Sequence, residues 1–466
     1  MKRALLLLPL VLDAQTELPA GWKQDPRFSH ASIGYCVRDA ATGQSVAEYN
    51  AGTALIPAST LKITSTAAAL DLLGKDFRFE TKLHYTGTFN KGTGVISGDL
   101  VITGGGDPTL QSSHFPGENI TAKWARLLKE QGVKEIRGKI TGDASCFERV
   151  VPDSWIWADI GNYFGAVPCG LSYMDNQFTI IYRTGAPGTT AILEGIEPAA
   201  LSKKIKLHSA ITATGTSDEA YVYGDPFGWE KEVKGTLPAG HERYKINAAL
   251  PDPALLCAED LLKAMQKEGI ICKGPAVSKY KKDDPMVKKE LLFVHYSPPL
   301  HQIIYHTNMK SINLYCESLV KVLGNGSATA GLTAVKEYWR KCIPDTGEIQ
   351  LADGSGLSRA NTITTSFQAR QLCSIYSDST KYTVIRSSLP LAGRDVSMSR
   401  MGKGTAIETN LRAKTGYIAG VRAYCGYVTA VSGRLLAFSV IFNNYNCKPA
   451  EAREAIEKWM VWMAGL

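Results

Sequence analysis

The chain has 466 residues, too many for one ordinary core, so its length predicts two to four domains. Apolar residues make up 44% and charged residues 21%, the balance of a soluble globular protein, which excludes a disordered or fibrous chain. A net charge of +8 is mild at this length and fits work near an anionic polymer. No run of Lys and Arg is interleaved with aromatics, so nucleic acid is not an expected partner.

Lys2 and Arg3 precede a run, Ala4 to Leu12, that is apolar apart from the break at Pro9. Asp13, Ala14 and Gln15 follow. This pattern predicts a secretory signal peptide over residues 1–14, cleaved after Ala14, and hence an exported protein. An N-terminal apolar strand is the alternative. The run is too short to span a membrane and no other stretch is long enough, so no transmembrane anchor is expected after cleavage.

Residues 31–49 predict two strands around a turn at Asp39 to Gly43. Residues 60–73 predict a helix with Leu61, Ala68, Leu72 and Leu73 on a core-facing stripe and Gly74 as its stop. From Phe79 to about Val294 the texture becomes strand-rich, with short alternating segments such as 81–85 and 100–103 and frequent glycine turns. Helices at 122–131 and 253–268 interrupt it, and Lys279 to Asp284 reads as a charged surface linker. After His301 helices return at 303–323, 328–342 and 366–376. Two apolar strands, 421–431 and 434–443, form a hairpin through Ser432 and Gly433. A last amphipathic helix, 448–463, carries Trp459, Trp462 and Met463, which pack on that hairpin rather than on a membrane. The predicted class is α/β (α+β), with a strand-rich insertion between two parts of one domain.

Ten cysteines are scattered without a C-x-x-C pair or zinc-like spacing, so no metal site is expected. Export would permit disulfides, but the sequence assigns no pairing; buried thiols are the plainer alternative.

Three short motifs carry chemistry. Ser59-Thr60-Leu61-Lys62 opens the 60–73 helix. Residues three apart share a helix face, so a lysine amine can reach the serine hydroxyl and take its proton. A helix start adds backbone N–H donors where an oxyanion would form. Two further S-x-x-K matches exist, Ser278 with Lys281 in the charged linker and Ser318 with Lys321 inside a helix, and neither stands at a helix start. Ser311-Ile312-Asn313 is the one S-x-N in the chain. Its serine can relay a proton to a leaving amine and its asparagine can hold a lysine and a substrate amide; a helix cap is the alternative. Lys414-Thr415-Gly416 is the one K-T-G. It precedes the apolar strands, where a strand edge can pair with a peptide, Gly416 permits close approach, and Lys414 and Thr415 can bind a carboxylate.

The order S-x-x-K, S-x-N, K-T-G resembles that of penicillin-binding proteins and serine β-lactamases. From about Asp39 onward the chain resembles the D-alanyl-D-alanine carboxypeptidase/endopeptidase family, the type-4 or class C low-molecular-mass penicillin-binding proteins. Longer strings carry that resemblance: Thr103-Gly104-Gly105-Gly106-Asp107-Pro108-Thr109-Leu110, Asp353-Gly354-Ser355-Gly356-Leu357-Ser358-Arg359, and Leu389-Pro390-Leu391-Ala392-Gly393.

The resemblance implies a penicillin-binding-protein/β-lactamase-like transpeptidase domain, an antiparallel sheet flanked by helices, formed by residues 21–83 and 298–466. Two nested strand-rich domains would occupy 84–297. It implies Ser59 as acylated nucleophile, Lys62 as its base, Ser311 and Asn313 in proton relay and substrate positioning, and Lys414 and Thr415 at the substrate carboxylate. The backbone N–H groups of Ser59 and Tyr417 would form the oxyanion hole. Tyr417 departs from the small hydroxyl residue usual after K-T-G. Asp143, in Gly142-Asp143-Ala144-Ser145, matches an insert aspartate that reaches the stem peptide; a turn residue is the alternative. The implied partners are peptidoglycan stem peptides and, as covalent inhibitors, β-lactams, with no metal or organic cofactor and a periplasmic location. A serine β-lactamase, an esterase or D-aminopeptidase of the same fold, and a non-catalytic peptidoglycan- or β-lactam-binding module are the rival readings. Oligomeric state and the balance of carboxypeptidase to endopeptidase activity are not legible in the sequence.

Overall fold

A computed structural model describes residues 21–282, 287–344 and 347–466. The expected signal peptide at 1–14 and the Asp283–Asp284 end of the expected linker lie outside the described residues. By Cα proximity the described chain falls into two compact units, one of residues 21–64, 339–351 and 359–466, the other of residues 65–338 and 352–358. The divisions expected at 83/84 and 297/298 do not coincide with these bounds.

The first unit is built on a five-stranded antiparallel sheet. Its spatial order is Ser45–Tyr49, Ser32–Asp39, Leu435–Asn443, Val421–Thr429 and Arg412–Ile418. The central strand Leu435–Asn443 is apolar without alternation because both of its faces are covered, and eight of its nine residues are buried. On one face lies the terminal helix Pro449–Ala464. Its Trp459 is fully buried, 5.1 Å from the Tyr35 ring and edge-on to Phe438 at 6.0 Å, so the tryptophan packs on the hairpin as expected. On the other face lies the helix Thr365–Tyr376, tied to the sheet by Tyr427 Oη donating to Leu372 O at 2.8 Å. The Ser432-Gly433 turn is as expected, with Gly433 at φ +83°.

The second unit holds a mixed five-stranded sheet in the order Ala276–Lys279, Ile140–Asp143, Leu100–Thr103, Glu80–Tyr85 and Glu290–Tyr296. Its first three strands are parallel. The helix Pro253–Lys267 packs so closely on it that a Cβ at Gly142 would stand 2.2 Å from Ala254 O. Smaller sheets and the helix Ile120–Glu130 share this core, with Trp124, Leu128, Leu261 and Met265 buried in it.

Three local expectations are corrected and one helix is added. Residues 303–323 form two helices, Leu300–Met309 and Asn313–Leu323, because Ser311 adopts φ +59°, which no α-helix accommodates. Lys279 belongs to a sheet strand rather than a surface linker, since the register Lys279↔Asp143 extends the ladder. Leu72 is 50% exposed: helix burial is complete through Leu70, and the last turn emerges from the core. A further helix, Ser379–Ser388, is capped by Asp378, whose carboxylate accepts from Lys381 N. No disulfide joins any of the ten described cysteines, and Cys36, Cys169, Cys257, Cys316 and Cys425 are buried.

Candidate active site

In the first unit the chain enters the site through Leu55, Ile56 and Pro57. Asn443, at the end of the central strand, grips this segment at both ends of its amide: Ile56 N donates to Oδ1 at 2.8 Å and Nδ2 donates to Ile56 O at 3.1 Å. Ala58 then turns at φ +46°, a left-handed conformation that is costly for a residue with a Cβ. A single 3₁₀ turn, Ala58–Leu61, leads into the helix Lys62–Leu73. This strained entry leaves Ser59 partly exposed while Lys62 is fully buried. Lys62 Nζ stands 2.9 Å from Ser59 Oγ, hydrogen-bond distance for proton transfer between them.

A buried relay fixes the same turn from the sheet side. Ser439 Oγ donates to Gln368 Oε1 at 2.7 Å, Gln368 Nε2 donates to Thr60 Oγ1 at 3.0 Å, and Thr60 Oγ1 donates to Pro57 O at 2.8 Å. Every link is inside the core, where an unmade hydrogen bond is expensive.

The K-T-G residues lie on Arg412–Ile418, an edge strand of the same sheet. Gly416 is the point of closest approach: a Cβ there would meet Pro57 O at 2.7 Å and the Ala58 Cβ at 3.3 Å. Glycine therefore brings this strand against the turn that carries Ser59. Lys414 is buried, with Nζ donating to Thr415 O at 2.9 Å, and Thr415 is partly exposed. Tyr417 is half-exposed, and the Arg422 guanidinium lies over its ring at 4.5 Å. The Leu389 to Gly393 string runs beside the start of this strand, where Ala413 N donates to Pro390 O at 3.0 Å and Ala392 N to Leu411 O at 2.9 Å.

Ser311 and Asn313 belong to the second unit. The left-handed turn at Ser311 separates two helices and leaves the serine partly exposed. Asn313, the first residue of its helix, donates from Nδ2 to Phe164 O at 2.7 Å. One turn further on, Glu317 is buried and accepts from Gly354 N at 3.0 Å and Ser355 N at 2.7 Å. Burial pushes its carboxyl pKa up, and the charge of buried Asp353 adds to the effect. Asp353 in turn accepts from Trp155 Nε1 at 2.8 Å, Gly356 N at 2.7 Å and Ser358 N at 2.6 Å. The Asp353 to Ser358 string is thus a loop wrapped around two carboxylates.

The other S-x-x-K matches fail on geometry. Lys321 donates to Glu148 O at 2.8 Å, while Ser318 Oγ is buried with no hydrogen-bond partner. Ser278 lies in a sheet strand and donates to Asp252 at 2.6 Å.

Asp143 is only 2% exposed. Its Oδ2 receives Lys289 Nζ at 2.9 Å and Lys279 Nζ at 3.3 Å, and its Oδ1 accepts from Ser145 N at 3.1 Å. Burial raises its pKa, but the hydrogen bonds from Ser145 and Lys289 outweigh burial and hold it below the usual aspartate range. It lines an open cleft of about 490 Å³ with Gly104, Gly105, Ser145, Lys282 and Lys289. The neighbouring glycine run is a packing device. A Cβ would strike Gly170 O at 2.1 Å from Gly104 and Glu80 O at 2.2 Å from Gly105, and Gly106 turns at φ +83° against the Phe147 ring.

Residues 15–465 match the D-Ala-D-Ala carboxypeptidase 3 (S13) family. The chain belongs to that family. A D-alanyl-D-alanine carboxypeptidase of an Actinomadura species is 30% identical, the match covering 95% of this chain and 83% of the relative. The D-alanyl-D-alanine carboxypeptidase DacB of Haemophilus influenzae is 27% identical over 95% of this chain and 90% of its own. The crystal structure of penicillin binding protein 4 (dacB) from the same organism superposes with a TM-score of 0.81 at 26% identity, covering 96% of this chain and 99% of that one. The fold of this S13 chain is therefore the one expected, and its class is that of a serine-type D-Ala-D-Ala carboxypeptidase.

Sequence reasoning missed Asn443, Gln368 and Ser439, which position the turn that carries Ser59 in this S13 chain, and Phe164, whose carbonyl holds Asn313. Polar side chains inside otherwise apolar segments were the available signal for Gln368, Ser439 and Asn443. Phe164 acts through its backbone and left none. Among the described residues no cluster of His, Cys, Asp or Glu could hold a metal ion, and no helix is long and apolar enough to cross a membrane.

Proposed function

We propose that this protein cleaves D-alanyl-D-alanine bonds of peptidoglycan stem peptides through a Ser59 acyl-enzyme, and the corresponding bond of cross-links by the same chemistry. The observation that carries the reading is the 2.9 Å approach of fully buried Lys62 Nζ to Ser59 Oγ at a strained turn. Lys62 takes the hydroxyl proton as Ser59 attacks the carbonyl of the penultimate D-alanine. The tetrahedral oxyanion is met by the N–H groups of Ser59 and Tyr417, a reading supported by the close packing of Gly416 on Pro57 and Ala58. Ser311 passes a proton to the departing amine, and Asn313 orients the substrate amide. Lys414 and Thr415 hold the substrate carboxylate. Water then releases the acyl group.

Asp143 serves this substrate side through Lys289: with its own charge already met by two lysines, it holds an ammonium at the cleft rather than receiving one. β-Lactams, as acylating analogues, are captured on Ser59. Membership of the family supports an exported, periplasmic enzyme that acts on the cell wall.

The test is intact mass after incubation with a fluorescent penicillin, beside Ser59→Ala. A lasting adduct on wild type alone is the expected result. Rapid penicillin turnover without an adduct would favour the β-lactamase reading, and no labelling would overturn the assignment of Ser59.

A further inference from the structure

The loop that follows the Leu389 to Gly393 string belongs wholly to the first unit. It is pinned at several points. Met398 and Met401 are buried in the core that also holds Trp459 and Met460. Leu391 N donates to Asp395 Oδ2 at 2.7 Å, Gly393 N to Met398 O at 3.0 Å, and Gly402 N to Glu457 Oε1 at 2.6 Å. The last bond ties the loop to the terminal helix Pro449–Ala464. Arg453 lies four residues before Glu457, on the same face of that helix.

Residues 396–401 and Arg453 line a cleft of about 310 Å³ between this loop and the helix. Arg400 and Arg453 are the charged side chains among its described lining. Arg453 is partly buried, and its Nε is buried with no acceptor among the described residues. Glu457 does not neutralise it. That carboxylate is engaged by Gly402 N, and neither Arg453 nor Arg400 forms an ion pair with a described carboxylate. Ser397 adds an exposed hydroxyl, while that of Ser399 already donates to Val396 O at 3.3 Å. A buried N–H without an acceptor is rare in native proteins and calls for a partner. One water would satisfy the N–H and leave two guanidinium charges in one cleft unanswered.

Guanidiniums recognise carboxylates and phosphates through paired N–H bonds. A carboxylate has two oxygens, which a single guanidinium fork satisfies. A phosphate monoester has three terminal oxygens and nearly two negative charges at neutral pH, which suits two guanidiniums. We infer that this cleft binds a phosphate monoester, held by Arg453 from the helix and Arg400 from the loop. The site uses neither Ser59 nor any other residue of the proposed reaction. A soluble ester and the headgroup of phosphatidic acid share this chemistry, and the experiment separates them.

The full chain is titrated calorimetrically, at constant ionic strength, with glycerol 3-phosphate and with acetate. It is also co-sedimented with phosphatidylcholine vesicles with and without phosphatidic acid. Saturable binding of glycerol 3-phosphate would support the proposal and mark a soluble ester. Binding only to vesicles that contain phosphatidic acid would support it and mark a headgroup. Acetate is expected to bind at least tenfold more weakly than glycerol 3-phosphate. Arg400→Ala removes an exposed side chain and is expected to keep the wild-type melting temperature while weakening phosphate binding at least tenfold. Arg453→Lys keeps the charge but loses the planar fork, and is expected to weaken binding at least threefold. Binding of neither phosphate probe, equal affinity for acetate, or phosphate binding indifferent to either substitution would overturn the proposal.

Discussion

Gly416 packs against Pro57 without room for a side chain: a β-carbon on residue 416 would sit 2.7 Å from the Pro57 carbonyl oxygen. The glycine of K-T-G thus packs directly on the turn that carries Ser59. Gly416→Ala must push the edge strand away from Ala58 and Ser59. A displacement near 1 Å can cost on the order of 100-fold in rate. Penicillin acylation by Gly416→Ala is expected to fall at least tenfold while the melting temperature drops by only a few degrees. Unchanged acylation would show that the approach of the two segments is not needed for reaction.

Gln368 is the hub between the sheet and the turn that carries Ser59, accepting from Ser439 and donating to Thr60. Gln368→Ala strands the buried Ser439 hydroxyl, takes the donor away from Thr60 Oγ1 and leaves a cavity, at a cost of about 2–4 kcal/mol. Denaturant unfolding should show that loss. Because Thr60 also holds Pro57 O, acylation measured well below the melting point should slow too. Lost stability with normal acylation would confine Gln368 to packing.

The chemistry was more legible than its scaffolding, for a physical reason. Ser59 and Lys62 lie three residues apart, so helix geometry alone brings them together. Asn443 and Ile56 are 387 residues apart, and no local pattern joins them. The helix break at Ser311 was hidden because apolar periodicity continues on both sides, from Leu300 to Thr307 and from Leu314 to Val320, and no Gly or Pro marks the turn. The helix Ser379–Ser388 escaped because its Ser- and Thr-rich sequence carries little apolar stripe, leaving only the Asp378 cap as a signal. Lys279 looked like a linker residue because its charge is paired with Asp143, 136 residues earlier in the chain.

Asp143 between Lys279 and Lys289 is a buried carboxylate with two partly buried cations, whose side chains are 23% and 21% exposed. Asp143→Asn leaves both ammoniums beside a neutral amide, and a loss of about 1–3 kcal/mol at neutral pH is expected. The wild-type carboxyl titrates below its ordinary 3.8, so its stabilisation is full above that pH and is lost as pH falls through the lower folded value. The variant should therefore show a flatter acid limb in unfolding experiments. An acid limb identical to wild type would mean that the lysines do not depend on Asp143.

Glu317 has the opposite sign. Buried with Asp353, its carboxyl is pushed from 4.5 up to about 7. The folded protein then binds this proton more tightly than the unfolded chain does. Its contribution is fully present below about pH 4.5, is lost as pH rises to about 7, and changes no further above that. The shift corresponds to as much as about 3 kcal/mol across that window. Glu317→Gln keeps an oxygen for the Gly354 and Ser355 N–H groups but cannot ionise, so it should be less pH-sensitive than wild type and relatively more stable at pH 8 than at pH 5. Urea unfolding of both proteins at the two pH values measures the difference directly. Parallel pH dependences would place the titration elsewhere and leave Glu317 only its role as acceptor for the 354–355 loop.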